Sequence, residues 1–121
     1  MLLDTNILIA YLDDESLIVN ALDTWRAQGT QLVISSITIA ELLSYTKLAA
    51  FEIEIIEQLT RTFVSVPLND EHAKAAAALR RKYSFDIPDS VIIAAAQIRG
   101  IPLVTRDIRL HKVTEVTFVH I

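Results

Sequence analysis

Short apolar runs rich in β-branched and aromatic residues alternate along this chain with segments whose apolar residues recur every three or four positions. The first pattern suits extended backbone and the second suits an amphipathic helix, so the alternation predicts repeated β-α-β units. Strands are expected at Met1 to Asp4, Leu32 to Ser35, Phe63 to Val66, Pro102 to Thr105 and Val116 to His120. A helix should begin near Asn6 and another just after the second strand, at about Ser35 or Ser36. Leu17, Ile18, Ala21, Leu22 and Trp25 form one apolar stripe, on a helix opening near Asp14 and closing before Gly29, and Phe51, Ile55, Ile56, Leu59 and Phe63 form another. The span from Asp70 to Tyr83 holds four consecutive alanines and ends in Arg80, Arg81 and Lys82, a strong helix with its cations at the negative end. A last helix opens at Asp86-Ile87-Pro88-Asp89 and closes at Gly100. Its segment Val91 to Ala96 is apolar all round and should be buried. The expected fold is α/β, a five-stranded parallel sheet with helices on both faces.

Composition narrows this further. At 121 residues the chain is expected to form one domain, 1–121, and a 52% apolar content against 21% charged is enough to bury a core. With no cysteine there is no disulfide, thiolate ligand or cysteine nucleophile, so any metal must sit on oxygen or imidazole. Met1-Leu2-Leu3 meets Asp4 at once, which gives no leader pattern and makes the cytoplasm the expected compartment. Val91 to Ala96 falls far short of the roughly 20 residues that cross a bilayer, so no membrane association is expected. The formal charge of -4 has the wrong sign for a protein that grips nucleic acid mainly by releasing counterions. No G-x-S-x-G, P-loop or G-x-G-x-x-G is present, so serine hydrolysis, nucleoside triphosphates and dinucleotides find no support.

In a parallel sheet, ligands bind beyond the carboxyl ends of the strands. The polar residues expected there are nearly all acids. Asp4 ends the first strand, Asp107 follows the fourth, Asp89 lies in the first turn of the buried last helix, and Glu41 interrupts the greasy stretch Ile37 to Leu43. Four carboxylates could thus converge, although each has a plainer reading: Asp4 as a helix cap, Asp89, like Asp86 beside it, as a helix-dipole partner, Asp107 as a turn residue, Glu41 as a surface glutamate. Like charges about 4 Å apart repel by roughly 4 kcal/mol at an effective dielectric near 20, so a bare cluster needs protons or a hard cation. Oxygen-only ligation favours Mg²⁺ or Mn²⁺ over Zn²⁺, and the chemistry suited to it is phosphoryl transfer by metal-activated water. A cation would also bridge an acidic pocket to phosphate. Arg106, Arg109, His111 and Lys112 surround Asp107 and are placed to meet a nucleic-acid backbone, while His72 and His120 lack ligand spacing.

Taken together, Leu3-Asp4-Thr5-Asn6-Ile7-Leu8, Ser36 to Leu42 with its Glu41, Pro88-Asp89-Ser90-Val91-Ile92-Ile93-Ala94-Ala95-Ala96 and Leu103-Val104-Thr105-Arg106-Asp107 resemble a PIN domain, most of all the small VapC-type toxins of bacterial and archaeal toxin-antitoxin pairs. That resemblance implies a Mg²⁺- or Mn²⁺-dependent endoribonuclease, usually a homodimer, held inactive by a co-expressed antitoxin. It places the catalytic and metal-binding acids on Asp4, Glu41, Asp89 and Asp107, with Asn6 and Thr105 supporting them and Arg106, Arg109 and Lys112 meeting RNA. The family has one acid at the start of the last long helix where this chain offers two, Asp86 and Asp89; Asp89 keeps the register. Cleavage is expected to leave 3'-hydroxyl and 5'-phosphate ends. Apolar positions on the Leu17 to Trp25 and Phe51 to Leu59 helices would receive an amphipathic antitoxin helix. The alternatives are a non-catalytic binding module on the same fold, and a phosphatase or phospho-aspartate domain, against which the missing second aspartate after the first strand argues.

Overall fold

A computed structural model describes all residues, 1–121. In chain order the elements are β1 (Leu2–Leu3), α1 (Thr5–Leu12), α2 (Ser16–Ala27), β2 (Val33–Ser35), α3 (Ser36–Leu43), α4 (Ala50–Thr60), β3 (Val64–Val66), α5 (Asp70–Tyr83), α6 (Ile87–Arg99), β4 (Leu103–Val104), a 3-10 turn (Ile108–Lys112) and β5 (Phe118–Val119). The strands pair in parallel in the order β3-β2-β1-β4-β5. The regular strands are shorter than the sequence predicts, yet ladder bonding runs on: the Asp4 amide donates to the Val104 carbonyl at 3.0 Å and the Thr105 amide to that of Val119 at 3.0 Å.

Neighbouring strand residues face opposite sides, which explains why the strands read as continuous apolar runs. Leu2, Val33, Val66 and Leu103 join the core formed with α5 and α6, whereas Leu3, Ile34 and Val104 join the core formed with α1 to α4. Helix α6 supplies its whole middle, Val91 to Ala96, to the first core. Each of Val91, Ile92 and Ile93 contributes about 1.5–3 kcal/mol by burial. The helix stops at Gly100, whose φ of 63° is the left-handed turn that glycine adopts without strain.

The chain builds outward from β1 to β2 and β3, then returns to the other side of β1 with β4 and β5. Strand order therefore reverses between β1 and β4. In open parallel sheets a crevice forms outside the carboxyl ends of the strands at such a switch point.

Candidate active site at the switch point

Because every strand here is parallel, several helices begin at the carboxyl edge, and three of the acids cap their starts. Asp4 caps α1, accepting from the Thr5 amide at 2.7 Å. Asp86 caps α6, accepting from the Asp89 amide at 2.9 Å. Asp107 caps the 3-10 turn, accepting from the Arg109 amide at 3.0 Å. The plainer reading of Asp4 as a cap thus holds, Asp86 is found to be a cap as well, and both are compatible with a site: capping is what brings carboxylates and helix N-termini to one place.

Asp4 is only 5% exposed and its remaining oxygen is held from two sides. The Thr105 hydroxyl donates to Oδ2 at 2.6 Å and the Asn6 amide nitrogen at 3.2 Å. Thr105 Oγ1 in turn accepts from the Asp107 amide at 3.0 Å and from Asn6 Nδ2 at 3.3 Å. One buried hydroxyl therefore links the ends of β1 and β4. Burial pushes the Asp4 carboxyl above its usual range; the bonds from Thr105 and Thr5 pull the other way, and the charge of Asp107 adds to the rise.

Asp89 shows the crowding most clearly. Its pKa is pushed up to about 6, first by burial and then by the charges of Asp86, Asp4 and Asp107, with Arg109 opposing. Asp107 moves the other way: hydrogen bonding to the Arg109 guanidinium holds its carboxyl below the usual range. Asp4, Asp89 and Asp107 thus feel one another's charge. Glu41 adjoins them through Thr5, whose hydroxyl donates to Glu41 Oε1 at 2.7 Å and lies 3.0 Å from the fully buried Thr38 Oγ1. Thr5 and Thr38 were not singled out in the sequence. Their signal was there, since Thr5 sits between Asp4 and Asn6 and Thr38 lies one turn before Glu41 on α3.

The three bases that the resemblance assigns to RNA are all engaged inside the chain. Arg106 pairs with Glu15 at 2.6 Å, Arg109 with Asp107 at 2.5 Å and with Asp89 at 3.7 Å, and the Lys112 ammonium sits over the Phe85 ring at 4.9 Å. His72 is buried with Nδ1 2.6 Å from Asn69 Oδ1, a structural role at the start of α5. Beside the acids, a groove of about 520 Å³ runs between α1, α3 and α4, lined by Ile9, Tyr45, Phe51 and Ile55 among others and bounded by Glu41. Helix α2 does not line it, because Ile18 and Leu22 of its stripe turn into the core.

A family model, PIN domain, matches residues 1–116. The chain belongs to the PIN domain family. A search of curated proteins gave no significant match. Among solved structures, this PIN domain is similar to a toxin-antitoxin complex from Klebsiella pneumoniae, at 27% identity and TM-score 0.77, covering 96% of this chain and 94% of that one. It also shares its fold with VapBC2 from Rickettsia felis bound to a promoter DNA fragment, at 20% identity and TM-score 0.86 over 99% of this chain and 97% of that one. The same holds for DNA-bound VapBC from Salmonella typhimurium, at 16% identity and TM-score 0.82 over 98% and 96%.

PIN domains are generally nucleases that use divalent metals. The donor chemistry here fits such an ion: the oxygens are hard, they carry surplus negative charge that raises the Asp89 pKa, and a guanidinium is already drawn against them. No three acids or histidines stand close enough together to enclose an ion as they are. The convergence expected from the sequence is therefore one of mutual electrostatic reach, with Asp89 and Asp107 the members left to adjust.

Proposed function

We propose that this PIN domain is a divalent-metal-dependent endoribonuclease and the toxin of a toxin-antitoxin pair. Asp4, Glu41, Asp89 and Asp107 would hold Mg²⁺ or Mn²⁺. The observation that carries this reading is the buried Asp4 carboxylate at the switch point, held by Thr5, Asn6 and Thr105 and electrostatically coupled to Asp89 and Asp107. Such a carboxylate is costly to bury and would be wasted as a cap alone. When bound, a divalent ion supplies Lewis acidity, making the attacking water more acidic and offsetting charge on the phosphate oxygens.

The chain's own residues do the positioning. Asn6 and Thr105 fix the Asp4 rotamer, so that its carboxylate is aimed before substrate arrives. Thr5, backed by Thr38, does the same for Glu41. Arg106, Arg109 and Lys112 are the cations nearest the end of β4 for the RNA backbone. Water adds to phosphorus, the bond from phosphorus to O3' breaks and O3' takes up a proton. The products carry 3'-hydroxyl and 5'-phosphate ends, and the 2'-hydroxyl is not the nucleophile.

The antitoxin is assigned to the groove between α1, α3 and α4. Ile9, Tyr45, Phe51 and Ile55 are 45%, 73%, 65% and 50% exposed there, an apolar wall that an amphipathic helix would cover, and Glu41 opens it toward the acids for a basic side chain. The deciding experiment incubates the purified protein with total RNA, with and without Mn²⁺, beside Asp4→Asn, and maps the cut ends. Metal-dependent cuts lost in Asp4→Asn are expected. Cleavage that persists in the folded variant, or fragments ending in 2',3'-cyclic phosphate, would reject the assignment.

A further inference from the structure

The Arg109 guanidinium lies against two of the acids to which the cation has just been assigned, and the local backbone puts it there. The Asp107 cap accepts the Arg109 amide at 3.0 Å, which turns the side chain back over the same carboxylate. Arg109 Nε then lies 2.9 Å from Oδ1 and 3.1 Å from Oδ2, and Nη2 lies 2.5 Å from Oδ2 of Asp107 and 3.7 Å from Oδ2 of Asp89. Both oxygens of Asp107 are thereby taken by a single fork. Its side chain is 69% exposed, so packing does not hold it; charge and the turn do.

We infer that Arg109 is an exchangeable counter-ion for Asp107 and Asp89, one that a divalent cation must displace and that is then free for substrate phosphate. This rests on the cation site proposed above. Two positive groups cannot share the same carboxylate oxygens at contact distance, so the guanidinium and the metal compete. The competition is mild, because an exposed pair is held weakly and screened by water. Once displaced, the planar fork remains two residues from Asp107 and matches a phosphodiester as well as it matches a carboxylate.

The test is Mn²⁺ binding to the protein alone, followed by electron paramagnetic resonance, for wild type, Arg109→Gln and Arg61→Gln. Arg61 faces Glu57 on α4 at 4.0 Å, so its variant makes the same change in net charge away from the acids. Arg109→Gln should tighten Mn²⁺ binding about two- to fivefold, and Arg61→Gln should leave it unchanged. In wild type, the Arg109 Nε–H signal in an NMR spectrum should shift toward that of a free guanidinium as Mg²⁺ saturates. Equal Mn²⁺ affinity in wild type and Arg109→Gln, weaker binding in that variant, or an Nε–H signal unmoved by Mg²⁺ would overturn the exchange while leaving the cation site standing. Absence of binding in all three proteins would remove the site and this inference with it.

Discussion

Asp4 and Asp107 follow neighbouring strands, cap helical segments on the same edge of the sheet and share the Thr105 hydroxyl, yet they live in opposite surroundings. Asp4 is buried under three donors, and its pKa is raised by lost solvation. Asp107 is partly open to water, held by an exposed arginine, and its pKa is lowered by that partner. A buried carboxylate cannot turn without breaking several hydrogen bonds, whereas an exposed one turns by exchanging one partner for another. The site is therefore half prebuilt and half adjustable. On the proposed reading, the prebuilt half would set where a cation sits and the adjustable half would close on it.

The largest expected effect comes from the prebuilt half. Asp4→Asn removes a negative charge and almost no volume, and cleavage should fall by at least about a hundredfold, beyond what a supporting residue is worth. Asp107→Asn should also weaken metal binding and cleavage, but its melting temperature at neutral pH should fall only slightly, since asparagine caps as well as aspartate and the lost ion pair is exposed. Rates on RNA and thermal melts of the two variants decide between them. Equal loss of stability would show that the division into fixed and adjustable halves is wrong.

Thr105→Val tests the hinge between the halves. The substitution keeps shape but deprives the buried Asp4 oxygen of its 2.6 Å donor and the Asp107 amide of its acceptor. Unmet buried polar groups cost about 1–3 kcal/mol, and loss of a partner that orients a ligand lowers activity about 10- to 100-fold. A variant as stable as wild type would mean that Thr105 merely fills space.

Much of this was legible in the chain because strand ends and cap residues are local features. Asp4 and Asp107 each sit where an apolar run gives way to a helical start, Asp86 opens the helix that carries Pro88, and the 70–83 helix appears with the bounds the sequence predicts. Glu41 announced itself by interrupting an apolar helix. What the chain did not disclose depends on side-chain direction. The hydroxyls of Thr5 and Thr38 gain meaning only when α1 and α3 pack together and aim them at Glu41. Arg109 reads as a phosphate contact, yet a cap two residues earlier folds it onto Asp107. The sequence places the α2 stripe beside that of α4 in one groove, but one residue is about 100° of helix: Ile18 is buried, and Leu17, its neighbour, is 61% exposed and outside the lining of the groove.

The smallest effect, and the finest test of the contrast, is the pH dependence of stability. The folded pKa of Asp89 is about 6 against an ordinary 3.8, so the fold favours the protonated form. Between those values the native state holds a proton that the unfolded state has lost, and stability falls as pH rises. Its contribution is complete below about pH 4 and gone above pH 6 to 7. The melting temperature of wild type relative to Asp89→Asn should therefore drop by about 2–5 °C across that window, and saturating Mg²⁺ should abolish the drop by favouring the ionised acid. Asp107 has the opposite sign. Its lowered pKa stabilises the fold above the unfolded value and is lost on acidification through the folded one, so wild type relative to Asp107→Asn should lose stability only as pH falls below about 4. Two difference curves with the same slope would place both aspartates in one environment and end the contrast between them.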